Sequence, residues 1–115
     1  MAKWLDIGPA SDFPADTHEC VDAGGYRLVI FHVAGQFLAL ANVCPHAGLP
    51  LGEGERHDST ITCPFHGYTF DIHTGRNIDL PDDEFPVRSY PARLSAGRVQ
   101  VDVADPPSSP EGSSQ

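Results

Sequence analysis

The chain has 115 residues and a formal charge of −9, from seven basic and sixteen acidic side chains. That length fits one domain with one site and leaves no room for a carrier domain fused to a catalytic one. The charge repels phosphate backbones and no Lys or Arg cluster offsets it, so nucleic acid is excluded as a partner.

Eleven glycines and eleven prolines punctuate the chain at short intervals, the pattern of a loop-rich β protein. The opening MAKWLDIGPA has no basic segment leading into a long apolar one, which predicts no signal peptide and a mature chain starting near Met1. Alternating or β-branched runs at 2–7, 26–33, 36–41, 60–63, 68–72, 87–94 and 98–103 read as strands, each bounded by Gly, Pro, Asn or Asp. Ala34-Gly35 and Ser95-Ala96-Gly97 have the length and glycine content of hairpin turns, so the strands are expected to be antiparallel and the fold all-β. Trp4, Phe31, Phe37, Phe70 and Phe85 fall in or beside these runs and are expected in the core. The longest apolar run, 28–34, is interrupted by His32 and falls far short of the ~20 residues that span a bilayer. Three cysteines without an export signal point to a reducing compartment, hence a cytoplasmic protein. Cys20 lies in an apparent strand with no Cys or His directly beside it and is expected to be a buried hydrophobe, while His18, His32, His57 and His73 are expected to be surface or structural.

Between about 42 and 86 the texture changes, with His, Cys, Pro and Gly crowding into two loops around the 60–63 strand. This stretch reads as a site-bearing subdomain inserted in a single domain of residues 1–104. Residues 105–115, DPPSSPEGSSQ, have no apolar anchor and read as a disordered tail.

The chemistry sits in Cys44-Pro45-His46-Ala47-Gly48 and, sixteen residues after His46, Cys63-Pro64-Phe65-His66-Gly67. Each loop offers one thiolate and one imidazole, and the spacer is long enough for a strand to leave and return. Zinc could take two Cys and two His, but zinc patterns usually pair like with like at short range, whereas each loop here mixes the two. In a mixed-ligand two-iron cluster one iron takes both Cys and the other both His, so two mixed loops suit a cluster better than a single ion.

At these residues the sequence resembles the Rieske family, whose signature is C-x-H followed by C-x-x-H, and the resemblance runs from Lys3 to about Val103. It includes CPHAGLPLGEG, CPFHGYTFDIHTG and an Asp79-Leu80-Pro81 similar to the family's proline loop over the cluster. The resemblance implies an antiparallel β sandwich or barrel with an inserted cluster-binding subdomain. It also implies one [2Fe–2S] cluster, with Cys44 and Cys63 on one iron and His46 and His66 on the other, more exposed one. The extra cysteines of the respiratory-complex type are replaced by Leu49 and Phe65, so their disulfide is absent. The positions that donate Ser and Tyr hydroxyls toward the cluster sulfurs are occupied by Tyr68 and Phe70. Fewer such bonds predict a potential toward the low end of the Rieske range, roughly −150 mV rather than +300 mV.

The function implied is a soluble ferredoxin, not itself an enzyme, carrying single electrons from a flavin-dependent ferredoxin reductase to the terminal oxygenase of an aromatic-ring dioxygenase system. The small Rieske subunit of an assimilatory nitrite reductase remains open beside it, as does a zinc-binding or structural interaction module on the same scaffold. Leu49, Pro50 and Leu51 are expected to form an apolar rim that docks a partner or shields the cluster. Asp82-Asp83-Glu84 is a solvated loop or an acidic docking feature.

Overall fold

The computed structural model describes residues 3–43, 50–64, 68–79 and 86–104. Among the described residues ten strands run in chain order: β1 (Trp4–Pro9), β2 (Thr17–Ala23), β3 (Tyr26–Val33), β4 (Gln36–Ala41), β5 (Glu55–His57), β6 (Thr60–Thr62), β7 (Thr69–Asp71), β8 (Ser89–Tyr90), β9 (Ala92–Ser95) and β10 (Arg98–Asp102). Short 3-10 turns lie at Ala10–Asp12 and Leu51–Glu53. All strand pairs are antiparallel, in three sheets ordered β1-β10-β9, β2-β3-β4-β8 and β5-β6-β7. Among the described residues no helix is long and apolar enough to cross a membrane.

The order of the layers follows from β3. Leu28, Val29, Ile30 and Phe31 are all fully buried, and since successive side chains point to opposite faces, both faces of this strand must be covered. Val29 and Phe31, with Leu40 of β4, pack against Ile61 of β6 and Phe70 of β7. Leu28 and Ile30, with Ala39, pack on the other side against Val99 and Val101 of β10. The four-stranded sheet is therefore the middle layer, with the β5-β6-β7 sheet on one side and the β1-β10-β9 sheet on the other. Each such side chain taken out of water contributes about 1.5–3 kcal/mol.

The hairpins are built by turn chemistry. Ala34 (φ 54°) and Gly35 (φ 75°) both adopt the left-handed conformation that matches a two-residue turn to the twist of β3 and β4. Ala96 (φ 51°) and Gly97 (φ 78°) do the same between β9 and β10. One expected strand is divided: the 87–94 run breaks at Pro91 into β8, which pairs with β4, and β9, which pairs with β10. Proline has no N–H to give a ladder, and the chain changes sheets there. Two polar strands outside the expected runs complete the sheets, the edge strand β2 and the short β5. Of the aromatic residues expected inside, Phe31 and Phe70 are fully buried and Phe37 is half-buried. Trp4 is also half-buried, under the Arg93 guanidinium 3.9 Å from its ring centroid. Phe85 lies outside the described residues.

Candidate metal centre

Of the four expected ligands Cys63 is described, and Cys44, His46 and His66 lie outside the described residues. So do Leu49, Phe65, Leu80, Pro81, the acidic run Asp82-Asp83-Glu84 and residues 105–115. The flanking residues nevertheless define how both loops are held.

Cys63 follows β6 directly and is 1% exposed, its side chain in the core formed by Val29, Phe31, Leu40, Leu51, Ile61, Phe70, Ile72 and Val87. The Cys63 N–H donates to the Tyr68 carbonyl at 2.7 Å, and the Thr62 and Thr69 hydroxyls meet at 3.1 Å. These bonds close β6 and β7 into an antiparallel pair, with the buried thiol at the end of β6.

The first loop is closed from its two ends. Asn42, just past β4, is tied by its N–H to the Arg27 carbonyl at 2.9 Å. Its side-chain oxygen accepts the Gly52 N–H at 2.6 Å. Beyond the loop, Leu51 is fully buried in the same core as Cys63. Gly54 packs so closely on the Thr62 carbonyl that a Cβ there would overlap it. The return of the first loop is thereby laid against β6, one residue before Cys63.

A third segment borders the second loop. Ile78 N–H donates to the Thr69 carbonyl at 2.9 Å, Thr69 N–H to Asp79 Oδ2 at 2.8 Å, and Asp79 N–H to Asn77 Oδ1 at 3.0 Å. The Asp79-Leu80-Pro81 stretch thus begins alongside Thr69. Asn77 pairs with Phe70, is fully buried, and keeps an amide nitrogen without a hydrogen-bond partner among the described residues. Val43 and Ile78, beside the first loop and the third segment, are exposed apolar residues.

Two expectations are corrected. Leu51 belongs to the core and forms no rim; Pro50 beside it is half-buried. Cys20 is exposed, because β2 is the edge of its sheet. Its sulfur nevertheless rests against Gly52, and burial of the thiol pushes its pKa up, as do Glu53, Glu19 and Asp22, while an Asn42 hydrogen bond pulls the other way. The remaining histidines are structural or at the surface, as expected. His18 Nε2 meets the Gly52 carbonyl at 3.0 Å and His32 Nδ1 the Phe13 carbonyl at 2.7 Å. His57 lies beside Glu55 and His73 beside Asp71. Among the described residues no three His, Cys, Asp or Glu side chains converge on a metal position.

These observations fit an iron–sulfur group held by the two loops. The one expected ligand among the described residues is a thiol with almost no solvent contact, at the place where the second loop starts and against which the first loop returns. Asn42, which sequence reasoning read only as a strand boundary, is the residue that joins the ends of the first loop; its position two residues before Cys44 is the only signal of that role in the sequence.

Comparison with known proteins agrees. The model of the Rieske [2Fe-2S] domain matches residues 3–91. The anthranilate 1,2-dioxygenase ferredoxin subunit of Burkholderia cepacia is 33% identical over 103 residues, 90% of this chain and 94% of that protein. A solved complex of reduced oxygenase and oxidized ferredoxin in carbazole 1,9a-dioxygenase contains a chain that aligns with a TM-score of 0.75 and 31% identity, covering 86% of this chain and 92% of that one. A Mycobacterium tuberculosis protein described as an NADH-dependent nitrite reductase small subunit aligns with a TM-score of 0.80 over 90% of this chain and 97% of its own; at 23% identity this likeness is one of fold.

Proposed function

Since the chain belongs to the Rieske [2Fe–2S] domain family, we propose that it is the ferredoxin component of a ring-hydroxylating dioxygenase system, taking single electrons from a flavin-dependent ferredoxin reductase and giving them to a terminal oxygenase. The observation that carries this reading is the buried Cys63 thiol at the junction of two hydrogen-bonded loops, each with one Cys and one His. A chain of this kind is an electron carrier and holds one cluster. Cys44 and Cys63 are assigned to one iron and His46 and His66 to the other.

The bound cluster supplies a one-electron couple whose potential is set by its charge, its hydrogen bonds and its exposure. The work of the chain is to hold and shield it. The β6-β7 hairpin fixes the Cys63 backbone, and the core of Phe31, Leu51 and Phe70 keeps water from the thiol side. Phe70 brings no hydroxyl into that core, which supports the low-potential assignment. The exposed Val43 and Ile78 and the charge of −9 suit transient docking with a partly apolar, basic partner. Residues 42–86 are read as the cluster-binding subdomain, and the protein as cytoplasmic.

Visible absorption and low-temperature EPR before and after dithionite, with iron and zinc counted on the same sample, test the reading. About two irons per chain with a rhombic reduced signal is expected. One zinc, or no metal after reconstitution, removes the electron-transfer function and leaves the zinc-binding alternative. Reduction by a flavin reductase coupled to turnover of a dioxygenase, and not of a nitrite reductase, separates the two electron-transfer roles.

A further inference from the structure

We propose that Asn42 is a positioning residue for the cluster, the centre of a clasp from β2 and β4 that grips the Gly52 peptide and so fixes the loop carrying Cys44 and His46. This inference rests on the Rieske reading of the chain and assigns to it a residue that is not a ligand. The Gly52 N–H is held by Asn42 Oδ1 at 2.6 Å in a buried bond. The Gly52 carbonyl is held by His18 Nε2 at 3.0 Å. The Cα faces the Cys20 sulfur, which leaves no room for a Cβ. Three contacts from three side chains thus converge on one residue, Gly52, ten positions downstream of Asn42. The Asn42 backbone N–H is itself anchored on the Arg27 carbonyl at 2.9 Å. His18 is itself steadied by stacking on Phe31, with ring centroids 5.6 Å apart.

The physical reason is economy of constraint. A loop that holds metal ligands needs both ends fixed, and the sheet ladder alone fixes only the β4 end. Without Asn42, the Gly52 N–H loses the Oδ1 acceptor it has in this structure, and a buried donor without a partner drives local opening. The opening would occur between β4 and the Leu51–Glu53 turn, the stretch that contains two of the four assigned ligands.

The test uses the anaerobically purified, cluster-loaded protein, with wild type measured first. Loss of visible absorbance is followed in excess iron chelator, and the reduced EPR spectrum is recorded for each variant. Asn42→Ala is expected to lose its cluster about tenfold faster and to show shifted g-values. Asn42→Asp keeps the acceptor oxygen and is expected near the wild-type rate. His18→Phe keeps the stack and removes only the second bond, for a smaller acceleration in the same direction. If Asn42→Ala does not fold, the His18→Phe comparison carries the test. Asp102→Asn weakens the opposite sheet and serves as the control for loss of stability alone. Unchanged loss rates and g-values in Asn42→Ala and His18→Phe overturn the proposal, as does equally fast loss in Asp102→Asn. Absence of a two-iron cluster from the wild type removes the Rieske reading itself, an outcome seen before any variant is compared.

Discussion

Asp102 offers a sharp test of how the outer layer is locked. Its carboxylate is 5% exposed and accepts two backbone bonds, from Lys3 N–H at 2.8 Å and from Ala104 N–H at 3.0 Å. Nearby, Val103 N–H donates to the Lys3 carbonyl and Arg88 to the Ala104 carbonyl. Both bonds fall on one oxygen, Oδ1, so Asp102→Asn keeps the shape and the acceptor but removes the negative charge that strengthens both bonds. Turning two charge-assisted bonds into neutral ones, at about 1 kcal/mol each, is worth about 2 kcal/mol. For a domain near 100 residues that lowers Tm by about 10 °C. Thermal unfolding of the cluster-loaded protein at pH 7, followed by far-UV circular dichroism, measures it, and a fall of less than about 2 °C refutes the reasoning. The pH dependence carries a second signature. The Lys3 N–H, above all, and then the Ala104 N–H hold the Asp102 carboxyl below the ordinary aspartate value of 3.8, against the opposing pull of burial. The folded value being the lower one, this stabilisation is complete above about pH 4 and fades as pH falls through the folded value. The gap between wild type and Asp102→Asn should therefore narrow in urea unfolding series carried below pH 4.

Cys63→Ser should reduce bound iron from about two per chain to near none while the apoprotein keeps its far-UV spectrum; a full complement of iron would remove Cys63 from the ligand set. Protein-film voltammetry should place the midpoint near the low end of the Rieske range, roughly −150 mV, and a value above about +100 mV, far into the upper part of that range, would show that the sulfurs receive more hydrogen bonds than Phe70 and Tyr68 suggest. Phe70→Tyr should raise that midpoint by stabilising the added electron, and an unchanged potential would place the new hydroxyl away from the sulfurs. Ile61→Ala, in the fully buried row opposite Phe70, should cost about 2–5 kcal/mol, measured by chemical unfolding, and a cost below 1 kcal/mol, roughly that of an Ile→Val change, would contradict the packing described.

The strands that the sequence displays best are those buried on both faces. The 26–33 and 36–41 runs coincide with β3 and β4, because a strand in the middle layer is apolar throughout and the Ala34-Gly35 pair separates the two. β2, THECVDA, shows only as an apparent strand around Cys20 and not as an alternating run, for the opposite reason: an edge strand is wet on its outer side, so its polar residues mask the pattern. The same blindness produced the wrong expectation for Cys20, whose exposure depends on the edge position and not on its neighbours in sequence. Leu51 was misjudged because proximity to a ligand loop says nothing about which way a 3-10 turn faces. The ligand motif was legible because thiol and imidazole are scarce and their spacing is informative. The Asn42 clasp was not, since its partners lie on a strand more than twenty residues upstream and a turn ten residues downstream, distances across which sequence carries no signature.

The pairing of β1 with β10 brings Lys3 and Val103 within one hydrogen bond of each other, in the layer across the middle sheet from β6 and β7. Anything tethered at either of these positions, whether a tag, a fluorophore or an electrode linker, hangs from the back of the molecule. An immobilised protein attached there would turn its two ligand loops outward, free to meet donor and acceptor in succession, and the same geometry makes a single attachment point as good as two.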